Sequence, residues 1–97
     1  MRGILLARRA ELDLRRIGQG EGLARIREGL EGLAAGTANL DIKPLAGAAP
    51  WHRLRVGDYR ILYRPVEPND TVDSNARWLV ARIVHRRDLE RAVSTLT

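Results

Sequence analysis

Residues 51–63 read WHRLRVGDYRILY, two extended runs of apolar residues and arginine on either side of Gly57-Asp58. A Gly-first pair suits a tight hairpin turn, because glycine accepts the positive φ that the turn demands. The turn sets the register. Val56 falls opposite Tyr59, Leu54 opposite Ile61 and His52 opposite Tyr63, all on one apolar side that is expected to face the core. The other side presents Arg55 beside Arg60, Arg53 beside Leu62 and Trp51 beside Arg64. Two arginines placed opposite each other repel, and fold stability gives no reason to gather Arg53, Arg55, Arg60 and Arg64 there. A solvated sheet face is the plainer alternative, since such repulsion is small in water.

Toward the N-terminus, residues 37–50 are rich in Gly, Pro and Ala and read as a connection, with an extended piece over Asp41–Leu45. Before it, Leu23, Ile26, Leu30 and Leu33 form one apolar stripe, which predicts a helix over 21–35 with Gly36 as its stop. Ala10, Leu14 and Ile17 predict another over 8–17, broken by Gly18-Gln19-Gly20, and residues 2–7 read as a short strand. Toward the C-terminus, Pro65 to Arg77 is a polar loop and residues 78–85 (WLVARIVH) a strand. From Asp88, the spacing of Leu89, Ala92, Val93 and Leu96 predicts a short closing helix. The expected fold is α+β, in the order β-α-α-β-β-β-α: a small antiparallel sheet with an N-terminal αα-hairpin on one face and a short C-terminal helix.

The 97 residues are enough for one domain, taken as 1–97, and leave no room for a second. The chain has no cysteine, which excludes disulfides, thiolate zinc sites and thiol nucleophiles. No uncharged run reaches ten residues, well short of the roughly 18 of a membrane span. Only residues 3–7 separate Arg2 from Arg8, too few for a secretory signal, so a cytoplasmic protein is expected. The net charge is +5, and sixteen of the seventeen basic residues are arginine. Guanidinium forks bind phosphate and carboxylate, although a GC-rich coding sequence gives the same bias. A pI near 10.9 points to a polyanionic or acidic partner.

The 78–85 strand ends in His85-Arg86-Arg87, which can approach the arginine face from its edge. His52 falls on the apolar side and reads as a core-edge histidine bonded to backbone. His85 is expected nearer the arginines, as the one side chain there able to exchange a proton near neutral pH. Two histidines without a carboxylate partner do not make a metal site, and no cofactor is called for. Trp51, Arg64, Arg82 and Arg87 flank the set as candidate RNA contacts. Such a cluster can hold a nucleic-acid backbone and stabilise charge on a phosphate. It suits RNA cleavage by the substrate's own 2′-hydroxyl, which asks the protein for orientation and electrostatics rather than a nucleophile.

Lys43-Pro44-Leu45 with Gly47, the stretch 51–63, and Ile83-Val84-His85-Arg86-Arg87-Asp88-Leu89 together resemble the RelE/ParE toxin superfamily of bacterial type II toxin–antitoxin systems. The two N-terminal helices match in length and position, so the resemblance covers nearly the whole chain. It implies a helical hairpin on one face of the sheet and an open basic face on the other. For the RelE-like branch it implies a metal-independent endoribonuclease cutting mRNA in the ribosomal A site. By that analogy Arg60 and Arg86 stabilise the phosphate, while Arg53 and Arg55 hold the RNA and the developing charge.

Two departures bear on the chemistry. RelE enzymes often carry lysine where Arg53 and Arg55 stand, and arginine, with a pKa above about 12, is a poor proton acceptor. Many also have a C-terminal tyrosine where this chain reads Leu89-Glu90-Arg91, which leaves His85 as the substitute acid or base. The ParE branch uses the same scaffold to inhibit DNA gyrase without cutting RNA, and a degenerate toxin would only bind its antitoxin. The RelE-like branch is favoured because Arg53, Arg55, Arg60 and Arg86 reproduce a phosphate-binding set. Every branch implies a cognate antitoxin in a hetero-oligomer, with an acidic or amphipathic segment wrapping the basic surface.

Overall fold

The computed structural model describes residues 3–70 and 75–96. Arg2, at the head of the expected first strand, and residues 71–74 of the polar loop lie outside the described residues. The elements run β1 (Ile4–Leu6), α1 (Arg8–Ile17), α2 (Glu21–Ala35), β2 (Asp41–Pro44), β3 (His52–Val56), β4 (Tyr59–Pro65) and β5 (Trp78–His85). A 3₁₀ turn (Arg86–Asp88) and α3 (Leu89–Val93) close the chain. Both long helices occupy the residues that the apolar spacing predicts. Gly36, at φ 69°, stops α2 in the left-handed conformation and returns its N–H to the carbonyls of Gly32 and Leu33.

The sheet order is β1-β5-β4-β3-β2. β2 to β5 form an antiparallel meander, with Arg55 opposite Arg60 and Leu54 opposite Ile61 as the two-residue turn requires. β1 differs from the antiparallel expectation: it lies parallel to β5 at the sheet edge, so the sheet is mixed. A parallel pair needs a long crossover, and here the helical hairpin and the whole meander lie between the two strands. Alternation along a strand gives its faces but not its partner, which is why sequence pattern misses this pairing.

The main core lies between the helical hairpin and the sheet. Ile26, Leu30 and Leu33 of α2 pack with Leu54, Ile61, Tyr63, Val80 and Ile83. Gly29 sets the spacing, because a Cβ there would come within 2.7 Å of Val56 and close on Leu54 and Ile61. A smaller core fills the opposite face, where Leu62 and Val84 lie under Ala92, with Leu45, Leu89, Val93 and Leu96 around them. This corrects the expectation of an open second face. The C-terminal segment covers its middle, and Arg55 stays exposed near the β3–β4 turn. No helix among the described residues is long and apolar enough to cross a membrane.

Candidate functional site

Three parts of the chain bring Arg53, Arg55, Arg60 and Arg86 to that uncovered end. Arg53 and Arg55 come from β3 and Arg60 from β4, on the same face. Arg86 follows β5 and is tied to the hairpin turn by its backbone N–H, which donates to the Asp58 carbonyl at 2.7 Å. Its Nε lies 3.5 Å from Asp58 Oδ1. The four act on one another. Burial first, and then the like charges of Arg55, Arg53 and Arg86, lower the Arg60 pKa from its ordinary value, with Asp41 opposing them. Arg60 Nη1 donates to the carbonyls of Gly57 and Tyr59, each at 3.0 Å, so the guanidinium is fixed against the turn. The result is a group of neighbouring cations, with Arg53 and Arg60 held by hydrogen bonds, whose chemistry suits binding an anion such as a phosphodiester.

His85 is not part of this group. It stands opposite Tyr59 on the face that carries Ile61 and Ile83, with its ring edge-on to Tyr59 at a centroid distance of 6.0 Å. Its Nδ1 accepts the Arg87 N–H at 3.2 Å. Counting along the end of β5 puts His85 with Ile83, on the side away from Val84 and Arg60. Three of the expected RNA contacts are also held by the fold. Trp51 is buried, with the Arg64 guanidinium 5.3 Å from its ring centroid. Arg64 makes a two-pronged ion pair with Asp70, at 2.7 and 2.9 Å, and that bond raises its pKa. Arg82 gives Nε and Nη2 to Asp13 of α1, at 2.9 and 3.2 Å. Arg87 is exposed, but it lines a cleft beside α1 with His85 and not the arginine cluster. His52 behaves as its position predicts, with Nδ1 3.0 Å from the Pro50 carbonyl and its ring stacked on Tyr63.

The model of the ParE toxin of type II toxin–antitoxin systems (parDE) matches residues 4–90. The chain belongs to this toxin family. A chain in the crystal structure of the RelB–RelE antitoxin–toxin complex from Methanococcus jannaschii superposes on it with a TM-score of 0.67 at 27% identity. The match covers 91% of this chain and 96% of that one. No curated protein matches the sequence. As a ParE-family toxin, the chain has two carboxylates at the rim of its arginine cluster that sequence reading did not assign to it. Asp41 of β2 accepts from Arg53 Nη1 at 2.9 Å, and its pKa is lowered chiefly by that bond. Asp58 faces Arg86 from the turn. Asp58 was legible only as a turn residue, and Asp41 only as part of an extended piece. Register makes them rim groups, since Asp41 pairs with Arg55.

Proposed function

We propose that this toxin binds RNA on its four-arginine cluster and inhibits translation as a RelE-like mRNA endonuclease in the cytoplasm, acting in the ribosomal A site. The observation that carries this reading is the like-charge crowding around Arg60, where burial and three neighbouring guanidiniums all disfavour the cation. A phosphodiester relieves that repulsion by supplying negative charge. In the proposed reaction the RNA 2′-oxygen bonds to the adjacent phosphorus as the bond to the 5′-oxygen breaks, giving a 2′,3′-cyclic phosphate and a 5′-hydroxyl. The 2′-hydroxyl proton passes to water and the departing 5′-oxygen takes one from water, while Arg60 and Arg86 stabilise the added charge and Arg53 and Arg55 hold the strand. We also infer a cognate antitoxin whose acidic or amphipathic segment covers Arg53, Arg55 and Arg60 in a toxin–antitoxin hetero-oligomer. The RelB–RelE complex supports such a partner.

One observation favours a second reading. No imidazole stands beside the cluster to take the 2′-hydroxyl proton, because His85 lies on the opposite face. That supports a ParE-like gyrase inhibitor without nuclease chemistry, in keeping with the family model that matches. Cell-free translation with mapped RNA ends separates the two. Cuts at fixed codon positions are expected for the nuclease. Gyrase-dependent DNA breaks with intact mRNA would establish the second reading instead.

A further inference from the structure

His85 has no place among the arginines, yet its ring bears on the residue that follows it. β5 ends at His85 in extended backbone, φ −66° and ψ 147°, and the chain passes at once into the 3₁₀ turn Arg86–Asp88. The first N–H groups of a helical turn find no partner within it and need an acceptor from the residue before. The His85 side chain is that acceptor, its Nδ1 receiving the Arg87 N–H at 3.2 Å. The Arg86 N–H goes to the Asp58 carbonyl at 2.7 Å, and the Arg86 carbonyl receives the Leu89 N–H. Arg86 is thus held from two sides, by the β3–β4 turn and by the capped turn to which it belongs.

An imidazole nitrogen accepts a hydrogen bond only while its lone pair is free. Once both nitrogens carry hydrogen, a donor faces a donor and the cap is gone. Nothing around the ring rewards the cation instead. Arg9 and Arg16 of α1, Arg87, and Arg91 of α3 line the cleft that His85 borders. Of the two carboxylates there, Asp13 is taken by Arg82 and the Ile83 N–H, and no ion pair joins Asp88 to His85. Tyr59, opposite on β4, meets the ring edge-on, and Asp58 beside it faces Arg86.

We propose that His85 is a positioning residue for Arg86: neutral, it caps the turn that holds this guanidinium at the cluster, and protonated, it releases that turn. The proposal rests on the reading that the cluster binds RNA, and it gives a pH dependence its direction. Added positive charge by itself would strengthen binding of a polyanion as pH falls, whereas loss of the cap weakens it. The charge acts from the opposite face of the sheet and is screened by salt. The cap acts through the chain, on the residue next to it, and therefore prevails.

The wild type, His85→Asn and His85→Ala, each as the full chain, test it. Asparagine offers an acceptor oxygen at a capping position and takes no proton in the relevant range. The probe is a single-stranded oligouridylate, titrated at physiological salt between about pH 8 and 5.5, where imidazole changes charge and carboxylates in general do not. Wild-type affinity is expected to fall about three- to tenfold on acidification, within the range that a lost cap spans. His85→Asn should match the wild type at the higher pH and lose that fall, although it keeps His52. His85→Ala should be weaker by the same factor throughout. Heteronuclear NMR signals of the Arg86 Nε–H and Arg87 N–H read the turn without RNA, and circular dichroism confirms each fold. Both signals should move as His85 is protonated in the wild type and stay in place in His85→Asn. An oligouridylate that binds none of the proteins would sink the RNA reading, and the two signals would then decide the cap alone. Static signals in the wild type, a measured affinity that rises or stays level as pH falls, or an equal fall in His85→Asn would each overturn the proposal.

Discussion

Arg60 and Arg64 lie on the same strand and the same face of it, four residues apart, and their surroundings are opposite. Arg64 has Asp70 across two short hydrogen bonds and the Trp51 ring within cation–π range, so its charge is matched and its pKa raised. Arg60 has Arg55 across the hairpin and Arg53 and Arg86 nearby, so its charge is opposed and its pKa lowered. The same side chain has a carboxylate partner at one end of β4 and none among the described residues at the other. What separates them is whether the chain itself supplies the counter-ion. Arg82, answered by Asp13, belongs with Arg64.

The comparison can be attacked from the answered side first. Asp13→Ala strands the largely buried Arg82 without its carboxylate and leaves the Ile83 N–H without its acceptor, and denaturant unfolding should show a loss of about 3–5 kcal/mol. A loss near zero would move Arg82 into the same class as Arg60. On the unanswered side, Arg60→Ala should reduce inhibition of cell-free translation by about 10²- to 10³-fold while the melting temperature stays put. Retained inhibition, or inactivity caused by unfolding, would remove Arg60 from the site.

A smaller effect is expected at the Arg64 end. Asp70→Asn should cost about 1.5–3 kcal/mol and leave toxicity intact in whatever fraction is folded. The Arg64 bond and the Glu67 N–H hold the Asp70 carboxyl down at about 2, against an ordinary value of 3.8. A depressed folded-state pKa gives stabilisation that is complete above the ordinary value and disappears as pH falls from there toward 2. Acid titration of stability should therefore lose part of its slope in that window in the Asp70→Asn protein. The smallest change is expected from Asp41→Asn, which frees Arg53 from an exposed partner. Oligouridylate affinity at low salt should rise about two- to fivefold. A fall would make Asp41 a support that positions Arg53, not a competitor for it.

Much of the fold was legible because its long elements advertise their period. The stripe of Ile26, Leu30 and Leu33, and the apolar, β-branched run WLVARIVH, place α2 and β5 on the residues they occupy. The two-residue turn at Gly57-Asp58 likewise determines which arginines face each other. The counter-ions were not legible. Nothing local tells that Asp70 reaches back six residues to Arg64, or that Asp13 meets Arg82 from 69 residues away. Arg64 and Arg82 therefore read from residue type alone as ligand contacts. The place of His85 was recoverable by counting from Ile83, and a cluster drawn by proximity in sequence overrode that alternation.

The hold that the Gly57 carbonyl keeps on Arg60 ties a guanidinium charge to the shape of a two-residue bend. Gly57 sits at φ 57°, where a side chain is strained, so Gly57→Ala would reshape the bend and swing that carbonyl. A substitution that looks purely architectural would then move the guanidinium three residues away. The bend and the guanidinium form one mechanical part.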